Sequence, residues 1–143
     1  MAQMEQIAAR SRELAPYAVE LRRHFHRHPE PTSREFETIN FICSQLSELG
    51  IPYHKIPDGG ILAEINGTGP QNAQAPHVLL RADCDALTME ESETVAGLPR
   101  TCRSETPGVA HMCGHDSHMA MLLGAARLLT GIDPSEIRGV IYL

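Results

Sequence analysis

The run His111-Met112-Cys113-Gly114-His115-Asp116-Ser117-His118 constrains this chain more than any other stretch. Within eight residues it packs three imidazoles, one thiol and one carboxylate around a glycine. Soft and borderline donors at that density suit a divalent transition metal such as zinc, manganese, cobalt or nickel. The bland alternative is a histidine-rich surface loop. Cys113 and His115 lie two apart. An extended or tightly turned backbone points both to one side, and Gly114 admits the backbone angles this needs. A thiolate and an imidazole then grip one metal, or the thiolate bridges two. Asp116 falls at an expected helix start, where a carboxylate caps the helix or holds a ligating imidazole from behind. His118 is one helical turn beyond His115. It reads either as a supporting residue of the site or as a surface histidine. His111 reads equally as a ligand or as a packing residue.

The 143 residues make about one domain. The hydrophobic share of 42% and charged share of 21% are those of a soluble globular chain with a real core. A net charge of −6 argues against a nucleic-acid partner. No apolar run is long enough for a membrane span, and the first residues lack the basic flank and apolar stretch of a signal peptide. Cytoplasmic residence is the default. Of the four cysteines, Cys43, Cys84 and Cys102 are then read as reduced thiols, and Cys113 is set apart by neighbours that are potential ligands.

Apolar steps of three and four predict a helix over residues 3–27, with Pro16 either kinking it or ending a first helix near Leu14. A second helix is expected over residues 33–49, capped by Thr32 or Ser33, with Phe36, Ile39, Ile42, Cys43, Leu46 and Leu49 as its buried stripe and Gly50 as its stop. Residues 51–56 and 61–65, around Pro57-Asp58-Gly59-Gly60, predict an antiparallel hairpin. An exposed loop over 68–76 leads to an expected buried strand over 77–82. Residues 88–109 show no periodicity, and a loop of that length is often functional. A helix is predicted over 117–129, with Leu122, Leu123, Ala126 and Leu129 inward, then a single turn at Asp133-Pro134-Ser135 and a buried strand over 139–143. An apolar strand has no physical reason to stop at Leu143, so residues 1–143 are expected to be the N-terminal part of a larger catalytic domain.

Two further groups of residues bear on chemistry. Asp83 and Asp85 emerge at the C-terminal end of the expected strand, which is where α/β sheets build sites. Each is read as a metal ligand, as the orienter of a histidine ligand, or as a turn residue. Arg81 can pair with a carboxylate on the same face. In His24-Phe25-His26-Arg27-His28, His24 and His28 share a helical face while His26 points elsewhere. The favoured reading is a helix terminus where basic side chains complement the dipole, not direct ligation.

These residues resemble a known family. The stretch from Leu21-Arg22-Arg23 to His26 with Pro29-Glu30 and Glu35, the run Leu80-Arg81-Ala82-Asp83-Cys84-Asp85-Ala86-Leu87 with Glu91, and His111 to His118 with Leu122 to Ala126 occur in the order seen in the dinuclear-metal amidohydrolases. That family includes hippurate hydrolases, N-acyl-amino-acid amidohydrolases and indoleacetyl-amino-acid hydrolases. The resemblance implies an α/β fold, here a partial three-layer sandwich with a mixed sheet, similar to the zinc exopeptidases. It implies two divalent metal ions (Zn, Mn, Co or Ni) held in part by Cys113 and His115, beside which the residues themselves offer Asp85 as orienter of a ligand and Asp83, Asp116 and His118 in support. It also implies an N-acyl amino acid as substrate. A glutamate further on is the general base for the water that attacks the amide carbonyl, while the metals lower that water's pKa and polarise the carbonyl. A later lid domain gives a route to a homodimer.

The chain departs from the family pattern at Thr88, Met112 and Cys84, where proline, alanine and methionine are common. None of these removes a ligand. The glutamate pair, the lid and the distal histidines of the family have no counterpart in these residues, so the stretch alone is expected to be inactive. The competing reading is a non-catalytic homologue that keeps the fold and a partial metal site. A closed structural zinc site is disfavoured because Cys-x-x-Cys is absent, and a nucleobase deaminase because its His-x-Glu and Pro-Cys-x-x-Cys elements are absent.

Overall fold

A computed structural model describes residues 2–57, 59–69 and 75–143. Part of the expected 68–76 loop, and Asp58 of the hairpin turn, lie outside the described residues. Two helices open the chain, α1 (Ala2–Glu13) and α2 (Ala15–Arg27). The break falls at Leu14, because Pro16 sits in the first turn of α2 and has no N–H to bond backward. Leu14 N–H still reaches Arg10 O at 3.0 Å, so the two helices run on with a small interruption.

α3 (Phe36–Glu48) starts later than its sequence predicts. Neither Thr32 nor Ser33 caps it. The Glu30 carboxylate does so from outside, accepting from Glu37 N–H at 3.1 Å and Thr38 N–H at 2.7 Å. Phe36, expected in the buried stripe, is 68% exposed. The other end follows expectation. Gly50 has φ +68°, and Ile51 N–H returns to Leu46 O while Gly50 N–H returns to Ser47 O, closing the helix in a Schellman motif.

β1 (Tyr53–Lys55) and β2 (Ile61–Asn66) form the expected hairpin, and β3 (His77–Leu79) follows. A two-stranded hairpin, β4 (Thr94–Val95) and β5 (Leu98–Pro99), occupies part of what the sequence presents as a structureless loop. Its turn residues Ala96 and Gly97 both have positive φ. α4 (His115–Leu129), a 3₁₀ turn (Pro134–Glu136) and β6 (Val140–Tyr142) complete the chain. Asp133 caps the turn by accepting from Ser135 N–H at 2.9 Å.

The sheet order is β1-β2-β6-β3, antiparallel except for the parallel β3–β6 pair. This is an α/β fold with a mixed sheet. β6 enters it through Gly139, whose φ is +80° and where a Cβ would lie 1.9 Å from Pro76 O. The core joins α2, α3 and α4 to β2 through Leu21, Phe25, Leu46, Ala63, Met119, Ala120, Leu123 and Ala126. Leu122, expected inward, is only half-buried. The expectation of a buried strand over 77–82 is corrected. Among the described residues β3 is an edge strand paired on one side only, and Leu79 is 65% exposed. β6 is central in the sheet but half-buried. Among the described residues no helix is long and apolar enough to cross a membrane.

Candidate metal centre

Two backbone pairings bring the motifs together. Ala86 N–H donates to Glu30 O at 2.8 Å, which pins the segment after β3 to Pro29-Glu30-Pro31. Leu87 and Ala110 exchange two hydrogen bonds, at 3.0 and 2.9 Å. The Asp83-Cys84-Asp85 segment and the segment leading to Cys113 are thereby set side by side. Gly114, at φ +86°, then turns the chain into α4, a conformation that a side chain would strain.

Asp85 and His115 meet directly. His115 Nδ1 lies 2.9 Å from Asp85 O and 2.9 Å from Asp85 Oδ1. A carbonyl and a carboxylate only accept, so Nδ1 carries the proton and donates to both. In the neutral ring this leaves a lone pair on Nε2. A carbonyl or carboxylate behind the far nitrogen of a ligating histidine is the usual support of a metal-bound imidazole. Asp85 is itself steadied by Thr32, whose hydroxyl donates to Oδ2 at 2.5 Å. That hydrogen bond lowers the Asp85 carboxyl most, burial opposes it, and the bond from His115 adds to the lowering, so the group lies below its ordinary range. Cys113 is an exposed free thiol one residue before Gly114. His118 is exposed, and its ring stacks 5.8 Å from that of His115. Asp83 is paired with Arg81 on the surface.

Asp116, next in the chain to His115, faces the other way. It is 1% exposed. Its Oδ2 accepts from His26 Nδ1 at 2.7 Å and from Arg22 Nε at 3.0 Å, and its Oδ1 from Ser117 N–H at 2.8 Å. Burial pushes its carboxyl up, but His26, Arg22 and the Ser117 N–H outweigh that and hold it below the ordinary value. The buried Glu91 does the same on the far side of His26, with Oε1 at 2.8 Å from Nε2. The sequence did not reveal this network. The one available signal was the i,i+4 spacing of Arg22 and His26, which puts both on one helical face. His24 stacks on Phe41 at a ring separation of 3.8 Å, and His28 lies 3.8 Å from Glu105. His111 is buried, and neither ring nitrogen has a hydrogen-bond partner. Burial holds its basicity down.

The donor set fits a divalent metal in chemical type, with a thiol and an anchored imidazole separated by a glycine. Among the described residues no group of three or more His, Cys, Asp or Glu side chains is placed to hold an ion. A cavity of about 590 Å³ is lined by Ile39, Ile42, Met119 and Leu122 together with Asp83 and Asp85.

The motif geometry has relatives. Residues 79–141 match the model of peptidase family M20/M25/M40. The chain belongs to this family. It is 44% identical over 124 residues to N-acetyl-L-cysteine deacetylase of Bacillus subtilis, covering 86% of this chain and 27% of that protein. It is 36% identical over 136 residues to IAA-amino acid hydrolase ILR1-like 4 of Arabidopsis thaliana, covering 94% and 28%. The Bacillus subtilis YxeP protein, described as a dinuclear metal binding peptidase of the M20 family, superposes with a TM-score of 0.77 at 32% identity, covering 92% of this chain and 34% of that one. The fold is thus the zinc-exopeptidase-like α/β fold that the motifs imply. The chain spans roughly a quarter to a third of the length of these relatives.

Proposed function

We propose that these residues belong to the catalytic domain of a metal-dependent amidohydrolase, and that Cys113 and His115 are ligands of its divalent-metal centre. The observation that carries this reading is the His115 ring. Its Nδ1–H is fixed by Asp85, which in the neutral ring leaves the lone pair on Nε2, and Cys113 precedes it by two residues across the Gly114 turn. Two metal ions drawn from Zn, Mn, Co and Ni are the proposed complement, in line with the dinuclear description of YxeP. When bound they supply a Lewis acid for an amide carbonyl and acidify water. The protein's own part is positional. Asp85 selects the tautomer and aims the ring, and Gly114 sets the angle between thiol and imidazole.

The proposed reaction is hydrolysis of the amide bond of N-acyl amino acids or small peptide-like substrates. The names of the deacetylase and IAA-amino acid hydrolase relatives support that class. The test is a panel of N-acyl amino acids with the intact enzyme. Cys113→Ala is expected to abolish turnover and lower bound metal. Full activity with stoichiometric metal in that variant would refute the assignment. Because two ligands fall short of the four a zinc ion takes, residues 1–143 alone are expected to show no chelator-sensitive amidase activity. Hydrolysis of hippurate by that stretch unaided would overturn the expectation.

A further inference from the structure

The metal reading gives the buried ring of His26 no task. His26 is 2% exposed, and each of its ring nitrogens faces a carboxylate, Asp116 at 2.7 Å and Glu91 at 2.8 Å. Carboxylates accept and do not donate, so both ring nitrogens carry protons and the ring is an imidazolium. Arginines extend the chain at both ends, Arg22 on Asp116 at 3.0 Å and Arg100 on Glu91 at 3.2 Å. Five side chains therefore alternate in sign from Arg22 to Arg100. The remaining carboxylate oxygens are held by backbone, Asp116 Oδ1 by Ser117 N–H and Glu91 Oε2 by Ser104 N–H, each at 2.8 Å. His111 is the other titratable group near this interior, and burial favours its neutral form.

The placement of these groups matters more than their number. Asp116 and Ser117 are the first turn of α4, directly after His115. Glu91, Arg100 and Ser104 belong to residues 86–110, the segment that leaves Asp85 and returns to the backbone just before Cys113. One ring on α2 thus ties together the two stretches that carry the candidate ligands and the acid that orients one of them. A buried ion network is a poor source of stability compared with apolar packing, and its best-attested use is to specify geometry.

We propose that His26 is a positioning residue of the metal centre, a charged bridge that sets the first turn of α4 against residues 86–110 and so fixes His115 and Cys113 relative to Asp85. The consequence for metal binding rests on the function proposed above, whereas the bridge itself does not.

Histidine-labelled protein, read by nitrogen NMR at neutral pH, separates the two. The wild type is expected to show both His26 nitrogens protonated and His115 as the Nδ1–H tautomer. His26→Gln, which keeps a donor but no charge, is expected to blur the His115 signature into a tautomer mixture. It is also expected to weaken zinc binding about tenfold, the low end of what losing an outer hydrogen-bonding partner of a metal site costs. In His26→Ala, added imidazole is expected to restore both readouts, and 1-methylimidazole, one N–H short, is not. A His115 signature and zinc affinity unchanged in both variants overturn the proposal, as does a neutral His26 in the wild type. If the wild type takes up no zinc, the metal reading falls while the His115 tautomer still decides the bridge. If His26→Ala does not fold, His26→Gln decides alone.

Discussion

His115 and Asp116 are neighbours in the first turn of α4 and live in opposite surroundings. Asp116 is enclosed, with both oxygens committed to His26, Arg22 and the Ser117 N–H. His115 is held through Nδ1, and two residues before it Cys113 carries an exposed thiol. A single helical start therefore has a locked face and an available face. The locked face gives the rigidity that a binding site needs, and the available face keeps the donors that a ligand can use.

The contrast breaks most readily at Asp116. Asp116→Ala leaves the His26 and Arg22 charges without their partner, so urea unfolding is expected to show a loss of about 3–5 kcal/mol. A loss below 1 kcal/mol would mean that the interior is not locked. Glu91→Gln keeps the shape but removes one charge from a buried hydrogen bond, and about 1.5–3 kcal/mol is expected by the same measurement. On the other face the order of effects reverses. Asp85→Ala is expected to cost only about 0.5–1.5 kcal/mol of stability, while zinc affinity by competitive chelator titration falls about 10- to 100-fold. Asp83→Ala touches only the surface pair with Arg81 and is expected to stay within about 0.5 kcal/mol of wild type, with metal affinity unchanged.

The locked face also predicts a two-sided pH profile. The His26 hydrogen bond to Asp116 raises the ring's pKa above its ordinary value, burial opposes this, and Glu91 adds to the rise. A raised cation stabilises the fold fully below its unfolded pKa of about 6.5, and that contribution is lost as pH rises through the folded value. Asp116 and Glu91 are depressed, so their contribution is present above the ordinary carboxylate range and is lost as pH falls through their folded values. Thermal melts are expected to peak between these limits. His26→Gln should remove the alkaline decline and shrink the acid one, because His26 is the main group holding Asp116 low and also lowers Glu91.

Much of the available face was legible in the sequence and little of the locked face was. Cys113, Gly114 and His115 announce themselves by residue type at short spacing, and Asp85 by its place after a strand. The Glu91–His26–Asp116 chain joins residues 65 and 90 positions apart, and Arg100 and Ser104 enter from a segment with no periodicity to read. The α3 start was misplaced for a similar reason. Local capping chemistry favoured Thr32 and Ser33, but Glu30 reaches the helix from before the turn. The strand over 77–82 was read as buried from its apolar content alone, whereas burial depends on neighbours, and β3 has one only among the described residues.

The four cysteine thiols of the chain differ in a way that makes the site addressable. Cys43 and Cys102 are enclosed, and burial pushes the Cys84 thiol up to about 11, where it resists alkylation at neutral pH. Cys113 alone stands open to reagent. A maleimide dye added under native conditions therefore reports on one position, and the slowing of its attachment by zinc is a direct gauge of whether that sulfur holds the ion.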